Sequence, residues 1–131
     1  MYNDKLLELF DDVKNYGLLR GYNASSQVVC EKSGDIVKPY FIIEDDKIVD
    51  AKFKAFGSIE TIVCASYGVM YVIQKTLDEV KSLPLEALTN NCPSIIENDY
   101  SEQLVLDAIK QTIEDYEIKL AKEEKKKTKQ K

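Results

Sequence analysis

The sequence predicts an α+β protein in which a three-stranded antiparallel sheet carries helices packed on one face. Three observations predict it: a helical pattern opens the chain, three β-like runs lie between residues 25 and 56, and every periodic segment after Ser58 has helical spacing. A length of 131 residues, with 44% apolar and 31% charged residues, fits one domain large enough to bury a core and too apolar for general disorder. That domain is expected to span residues 1–120, with 121–131 a charged, disordered tail.

Each element has a local reason. Leu6, Leu7, Phe10 and Val13 fall at helical spacing behind a cap at Asn3 or Asp4, and Gly17 in Asn15-Tyr16-Gly17 offers a left-handed exit. Residues 25–30, 36–43 and 48–56 read as strands, the last two joined by the acidic turn Glu44-Asp45-Asp46-Lys47. Pro39 falls inside the second strand; having no N–H, it is expected to turn that side to an edge or a bulge. From Ser58, Ile62, Val63, Ser66, Val69, Met70 and Ile73 recur at three and four, giving a mostly buried helix that runs to Gln74. A short capped helix from Thr76 stops before Pro84, and LEALTNN starts another that ends near Asn91. Asp99 with Glu102 matches a capping box, and Val105, Ala108, Ile109, Thr112, Ile113, Tyr116 and Leu120 form one stripe of a long final helix.

Composition excludes several classes of function. A net charge of −5 gives no basic field for nucleic acid, and the basic cluster at 122–131 holds no aromatic residue to stack on bases. No run approaches the roughly 18 apolar residues of a membrane span, and the opening MYNDKLLELFDD lacks the basic region and apolar core of a signal peptide. A cytoplasmic protein is expected. Cys30, Cys64 and Cys92 are odd in number and widely spaced, which gives neither a disulfide framework nor a standard zinc pattern. The chain has no histidine, so a serine nucleophile would need a lysine base, and no motif points to one. No enzyme activity is expected.

Two glycine turns raise a sharper question. Ser33-Gly34-Asp35 and Gly57-Ser58 are the kind of turn in which a chain presents ligands or nucleophiles, yet both carry serine. Four segments in order supply the context: YNDKLLELFDDVKNYG, Ser33-Gly34-Asp35, the run from Lys47 to Gly57-Ser58, and Ser101 followed by Leu104 and Asp107-Ala-Ile-Lys110. Over residues 2 to 120 they resemble the IscU/NifU N-terminal-domain family of iron–sulfur cluster assembly scaffold proteins.

The resemblance implies an IscU-like fold, a cysteine desulfurase as partner, and a [2Fe-2S] cluster or zinc as the bound group. It implies ligand positions at Ser33, Asp35, Ser58 and Ser101, where the family holds cysteine at the three serine positions, and it sets Tyr100 at the family's histidine. Ser94-Ile-Ile-Glu-Asn98 stands in place of the family's chaperone-recognition segment, so no dedicated Hsp70-type chaperone is expected. Without a large insertion between Ser58 and Ser101, the architecture is closer to IscU than to the zinc-dependent SufU branch.

Chemistry bears on the implied site. Iron–sulfur clusters are held by soft thiolates and structural zinc by thiolate, imidazole or carboxylate, whereas a serine hydroxyl is a hard, protonated donor at neutral pH. A hydroxyl also cannot replace a thiolate in persulfide exchange. No cofactor is therefore expected, unless Cys30 and Cys92 form a relocated metal site with Asp35; Cys64 reads as a small buried hydrophobe. Asp35 has a second reading as a bond to its own turn, and Ser58 and Ser101 as helix caps. Two functions stay open: a cluster-assembly protein of the scaffold type, degenerate in ligation and working through a desulfurase, or a metal-free protein-interaction module derived from that fold.

Overall fold

The computed structural model describes residues 4–93 and 96–129. The Asn3 cap and the Ser94-Ile95 part of the altered chaperone segment lie outside them. Helix α1 (Asp4–Asp11) buries Leu6 and ends a turn earlier than its apolar spacing suggests. Competing bonds to a strand stop it. Asn15 takes the left-handed conformation at φ 65°, its carbonyl accepts from Phe53 N at 2.9 Å, and Gly17 N donates to Phe53 O at 2.7 Å. These bonds pull residues 15–17 out of the helix and lay them along a strand edge.

The sheet is antiparallel and built around β3 (Ile36–Glu44). On one side β3 pairs with β4 (Lys47–Phe56) through a two-residue turn in which Asp45 and Asp46 both have positive φ, 52° and 60°. Such primed turns match the strand twist, and Asp tolerates the conformation. On the other side the expected first strand is split into β1 (Ala24–Ser25) and β2 (Val28–Val29), which keep one register along β3. The expected three strands are therefore four, in three positions. The break at Ser26-Gln27 faces Pro39, whose carbonyl accepts from Ser25 Oγ at 2.6 Å while its ring supplies no N–H to the ladder.

Helix α2 (Ile59–Val72) and the long α5 (Ser101–Lys129) lie on the inner face of the sheet, over Val37, Phe41, Ile48, Ala51 and Phe53. Their contact is close at Gly68, where an added Cβ would stand 2.6 Å from Val105 Cγ1. Two short helices connect them: α3 (Leu77–Lys81), the expected short capped helix, whose cap is a capping box of Thr76 and Glu79, and α4 (Leu85–Asn91) after Pro84.

Two details of α5 correct the sequence reading. Its free N–H groups are capped by Asn98, whose Oδ1 accepts from Tyr100 N and Ser101 N at 3.1 and 2.8 Å, and not by an Asp99–Glu102 box. Asp99 turns instead to Lys32 across the surface. The helix also continues to Lys129, through the segment expected to be a disordered tail. Nothing after Ser101 stops it: the segment has no Gly or Pro and is rich in Lys and Glu, both good helix formers.

Candidate functional site

Three chain segments meet at one end of the sheet. The first is the loop between β2 and β3, closed by Gly34 N to Cys30 O at 2.7 Å and Cys30 N to Asp35 O at 2.8 Å, with Gly34 at φ +81°. Ser33 Oγ accepts from Asp35 N at 3.1 Å, so this hydroxyl closes its own turn. The second segment is Gly57-Ser58, at the end of β4. Gly57 has φ +135°, and a Cβ there would overlap the Asp35 carboxylate. Glycine is required because the carboxylate lies against its backbone. The third is the start of α5, at Tyr100 and Ser101.

Asp35 is the point on which these segments converge. Its Oδ2 accepts from Thr61 Oγ1 at 2.6 Å, Ser58 Oγ at 2.9 Å and Ser58 N at 3.3 Å. Thr61 Oγ1 is also 2.7 Å from Ser101 Oγ and 3.1 Å from Ser58 Oγ. Tyr100 OH reaches Ser58 Oγ at 3.4 Å, and Ser58 Oγ accepts from Thr61 N at 3.3 Å as the cap of α2. Asp35, Thr61 and Ser101 are all buried.

Charge fixes the direction of this network. An ionised carboxylate can only accept, so Ser58 and Thr61 spend their single hydroxyl protons on Asp35, and Ser101 donates to the Thr61 oxygen left free. Burial alone would push the Asp35 carboxyl up, but the hydrogen bonds from Thr61, Ser58 and Ser33 outweigh it and hold the carboxyl below the ordinary aspartate range. Among the described residues no buried side-chain oxygen or nitrogen lacks a partner.

The sequence-predicted positions therefore separate into two groups. Asp35, Ser58, Ser101 and Tyr100 share one network, and Ser33 stands beside it on the same loop. The alternative set of Cys30, Asp35 and Cys92 does not form. Cys92 is buried against Cys64 with their sulfurs 3.2 Å apart, and among the described residues no group of three or more His, Cys, Asp or Glu could hold a metal. The contact with Cys92 and then burial push the Cys64 thiol well above its ordinary range, so it stays a thiol. Cys30 is partly exposed, and hydrogen bonds from the Ser33 side chain and backbone hold its thiol below the usual range.

Thr61 is the member that sequence reasoning missed. The available signal was a threonine one helical turn after the Ser58 cap, inside an otherwise apolar segment. Its hydroxyl occupies the space among the three donors, within 3.1 Å of each. Hard, protonated, mutually bonded oxygens around one carboxylate do not fit a [2Fe-2S] cluster or a structural zinc.

The site is flanked by exposed apolar residues. Val29 and Phe56 are exposed on either side of half-buried Ile36, their cross-strand neighbour at the end of the sheet, and Phe56, immediately before Gly57, is 74% exposed. Leu7 and Phe10 of α1 are also exposed.

Comparison with known proteins agrees with this architecture. Residues 1–123 match the family described as NifU-like N terminal domain. The chain is 30% identical over 122 residues to the iron-sulfur cluster assembly protein IscU of Plasmodium falciparum, covering 91% of this chain and 75% of that protein. It is 27% identical over 117 residues to the iron-sulfur cluster assembly scaffold protein IscU 1 of Archaeoglobus fulgidus, covering 88% and 76%. The crystal structure of a nitrogen-fixing NifU-like protein (N-terminal) from Brucella abortus superposes with a TM-score of 0.69 at 24% identity, over 90% of this chain and 95% of that one. The chain belongs to the NifU-like N-terminal domain family.

Proposed function

We propose that this chain serves iron–sulfur cluster assembly as a scaffold-type protein that binds a cysteine desulfurase without carrying metal or accepting sulfur. Family membership supports the process. The mechanism rests on one observation: Asp35, Ser58 and Ser101 are closed into a hydrogen-bonded network through Thr61, with every hydroxyl proton committed. In this reading Ser33, Asp35, Ser58 and Ser101 stand at the family's ligand positions and Tyr100 at its histidine.

No catalytic step is assigned to the network. A hydroxyl becomes a nucleophile when a base takes its proton, and the base here would be Asp35, a carboxylate held below its ordinary range and thus too weak for the task. Sulfur transfer at Ser33, Ser58 or Ser101 fails because it needs a thiolate, which a hydroxyl does not supply. What remains is binding. Exposed Val29 and Phe56, on either side of half-buried Ile36, offer apolar anchors beside the loops at 33, 58 and 101, and α1 exposes Leu7 and Phe10 as well. We assign the protein to the cytoplasm; among the described residues no helix is long and apolar enough to cross a membrane. Nucleic acid and a dedicated Hsp70-type chaperone are not assigned as partners.

Calorimetric titration against a cysteine desulfurase, followed by persulfide detection on the recovered chain, tests this reading. Binding without label transfer is expected, and Phe56→Ser should weaken it. Persulfide on any of the three cysteines, or no binding at all, would refute it.

A further inference from the structure

We propose that Thr61 is the residue that excludes metal from this site, so that restoring thiol ligands would not by itself restore metal binding. The inference rests on the reading of Ser33, Asp35, Ser58 and Ser101 as ligand positions and adds a residue that this reading does not contain. The argument is one of space. Zinc and related ions sit roughly 2.0–2.3 Å from their donors, at the centre of the donor set. Here that region holds Thr61 Oγ1, which lies 2.6 Å from Asp35 Oδ2, 2.7 Å from Ser101 Oγ and 3.1 Å from Ser58 Oγ. An oxygen anchored to α2 fills the place and satisfies the same groups an ion would satisfy.

Two features make this occupancy firm. Thr61 is fully buried one turn into α2, where a β-branched side chain has few rotamers and little freedom to swing clear. The hydroxyl also joins three elements, its own helix α2, Asp35 before β3 and Ser101 at the start of α5. It thereby takes over the cross-linking that a bound ion provides elsewhere.

The test compares two variants of the full chain, Ser33→Cys/Ser58→Cys/Ser101→Cys with Thr61 kept and the same triple with Thr61→Ala. Both are titrated anaerobically with cobalt(II), read by thiolate-to-metal charge-transfer absorption. Alanine suits a helix interior and leaves the centre open. One equivalent of cobalt is expected to bind the Thr61→Ala form, with affinity at least about tenfold higher than in the form that keeps Thr61, the scale of a supporting-residue effect. Equal affinity in the two would overturn the role of Thr61. Absence of cobalt binding in both, with circular dichroism showing both folded, would overturn the ligand-position reading and the proposal with it.

A second measurement does not depend on ligand positions. In the natural chain, Thr61→Val should speed amide exchange at Ser58 and Ser101, while Thr61→Ser, which keeps the hydroxyl, should not. Unchanged exchange in Thr61→Val would show that the hydroxyl does not hold the site closed and would overturn the proposal. This result also covers the case in which the triple-cysteine forms fail to fold.

Discussion

Replacing Asp35 by alanine distinguishes a structural hub from a ligand site kept ready for an ion. Asp35 accepts from Thr61 Oγ1 at 2.6 Å, Ser58 Oγ at 2.9 Å and Ser58 N at 3.3 Å. Hydrogen bonds to a charged group contribute about 1.5–3 kcal/mol each, offset here by the desolvation of the carboxylate. The larger effect of truncation is on what remains. The Thr61 and Ser101 hydroxyls are fully buried, and with Asp35 gone at least one donor loses its acceptor, at about 1–3 kcal/mol. The cavity left by the carboxylate adds to this, so the expected loss is about 2–4 kcal/mol. That is a large part of the ~5–15 kcal/mol available to a domain. Urea unfolding followed by far-ultraviolet circular dichroism should show a lower midpoint with an unchanged slope. Asp35→Asn, which keeps the volume and one acceptor, should lose less. A carboxylate held in place for an absent ion behaves in the opposite way, because removing an uncompensated buried charge stabilises the fold. Equal or higher stability of Asp35→Ala would therefore refute the hub.

The Asp35 carboxyl titrates lower in the folded than in the unfolded chain, so its contribution is fully present above the unfolded value near about 3.9 and is lost as pH falls through the folded value; the stability gap between parent and Asp35→Asn should close on acidification below that value and stay constant at neutral pH. Gly57→Ala should destabilise by at least about 2 kcal/mol, since φ is +135° and the new Cβ meets the Asp35 carboxylate; thermal unfolding by circular dichroism measures it. Gly68→Ala should cost about 1–3 kcal/mol by forcing α2 from Val105 of α5, read in the same assay, while leaving desulfurase binding unchanged when the variant is folded. Cys30 should react quickly with Ellman's reagent in the native protein, whereas Cys64 and Cys92, buried against each other, should react only after denaturant is added; three rapidly reacting thiols would contradict the buried pair.

What could be read from the sequence was set by short-range physics. Gly34 and Gly57 marked two real turns with positive φ, and Ser58 caps its helix as its position predicts. The order of one helix, a hairpin-rich sheet and then helices also fixes the layer arrangement, because each apolar pattern has one face to bury. Long-range contacts decided the rest. The pairing of Cys64 with Cys92 depends on how α4 returns to α2, and neither cysteine has a neighbour in sequence that announces the other. The central place of Thr61 depends on three segments meeting around its hydroxyl. The split first strand came from a residue on its partner: Pro39 breaks the ladder opposite Ser26-Gln27. The cap of α5 lies one residue from the expected place: Asn98 and Asp99 are both good caps, but Asn98 is held to Glu60 of α2 through its Nδ2 while Asp99 pairs with Lys32.

The most direct test of the central claim is anaerobic incubation of the chain with iron, cysteine and a cysteine desulfurase, with iron and acid-labile sulfide then measured in the repurified protein. The closed hydroxyl–carboxylate network predicts neither iron nor sulfide above the level carried by an unrelated protein. Near-stoichiometric iron and sulfide, lost on Cys30→Ala or Cys92→Ala, would contradict it and restore a working scaffold with a relocated site.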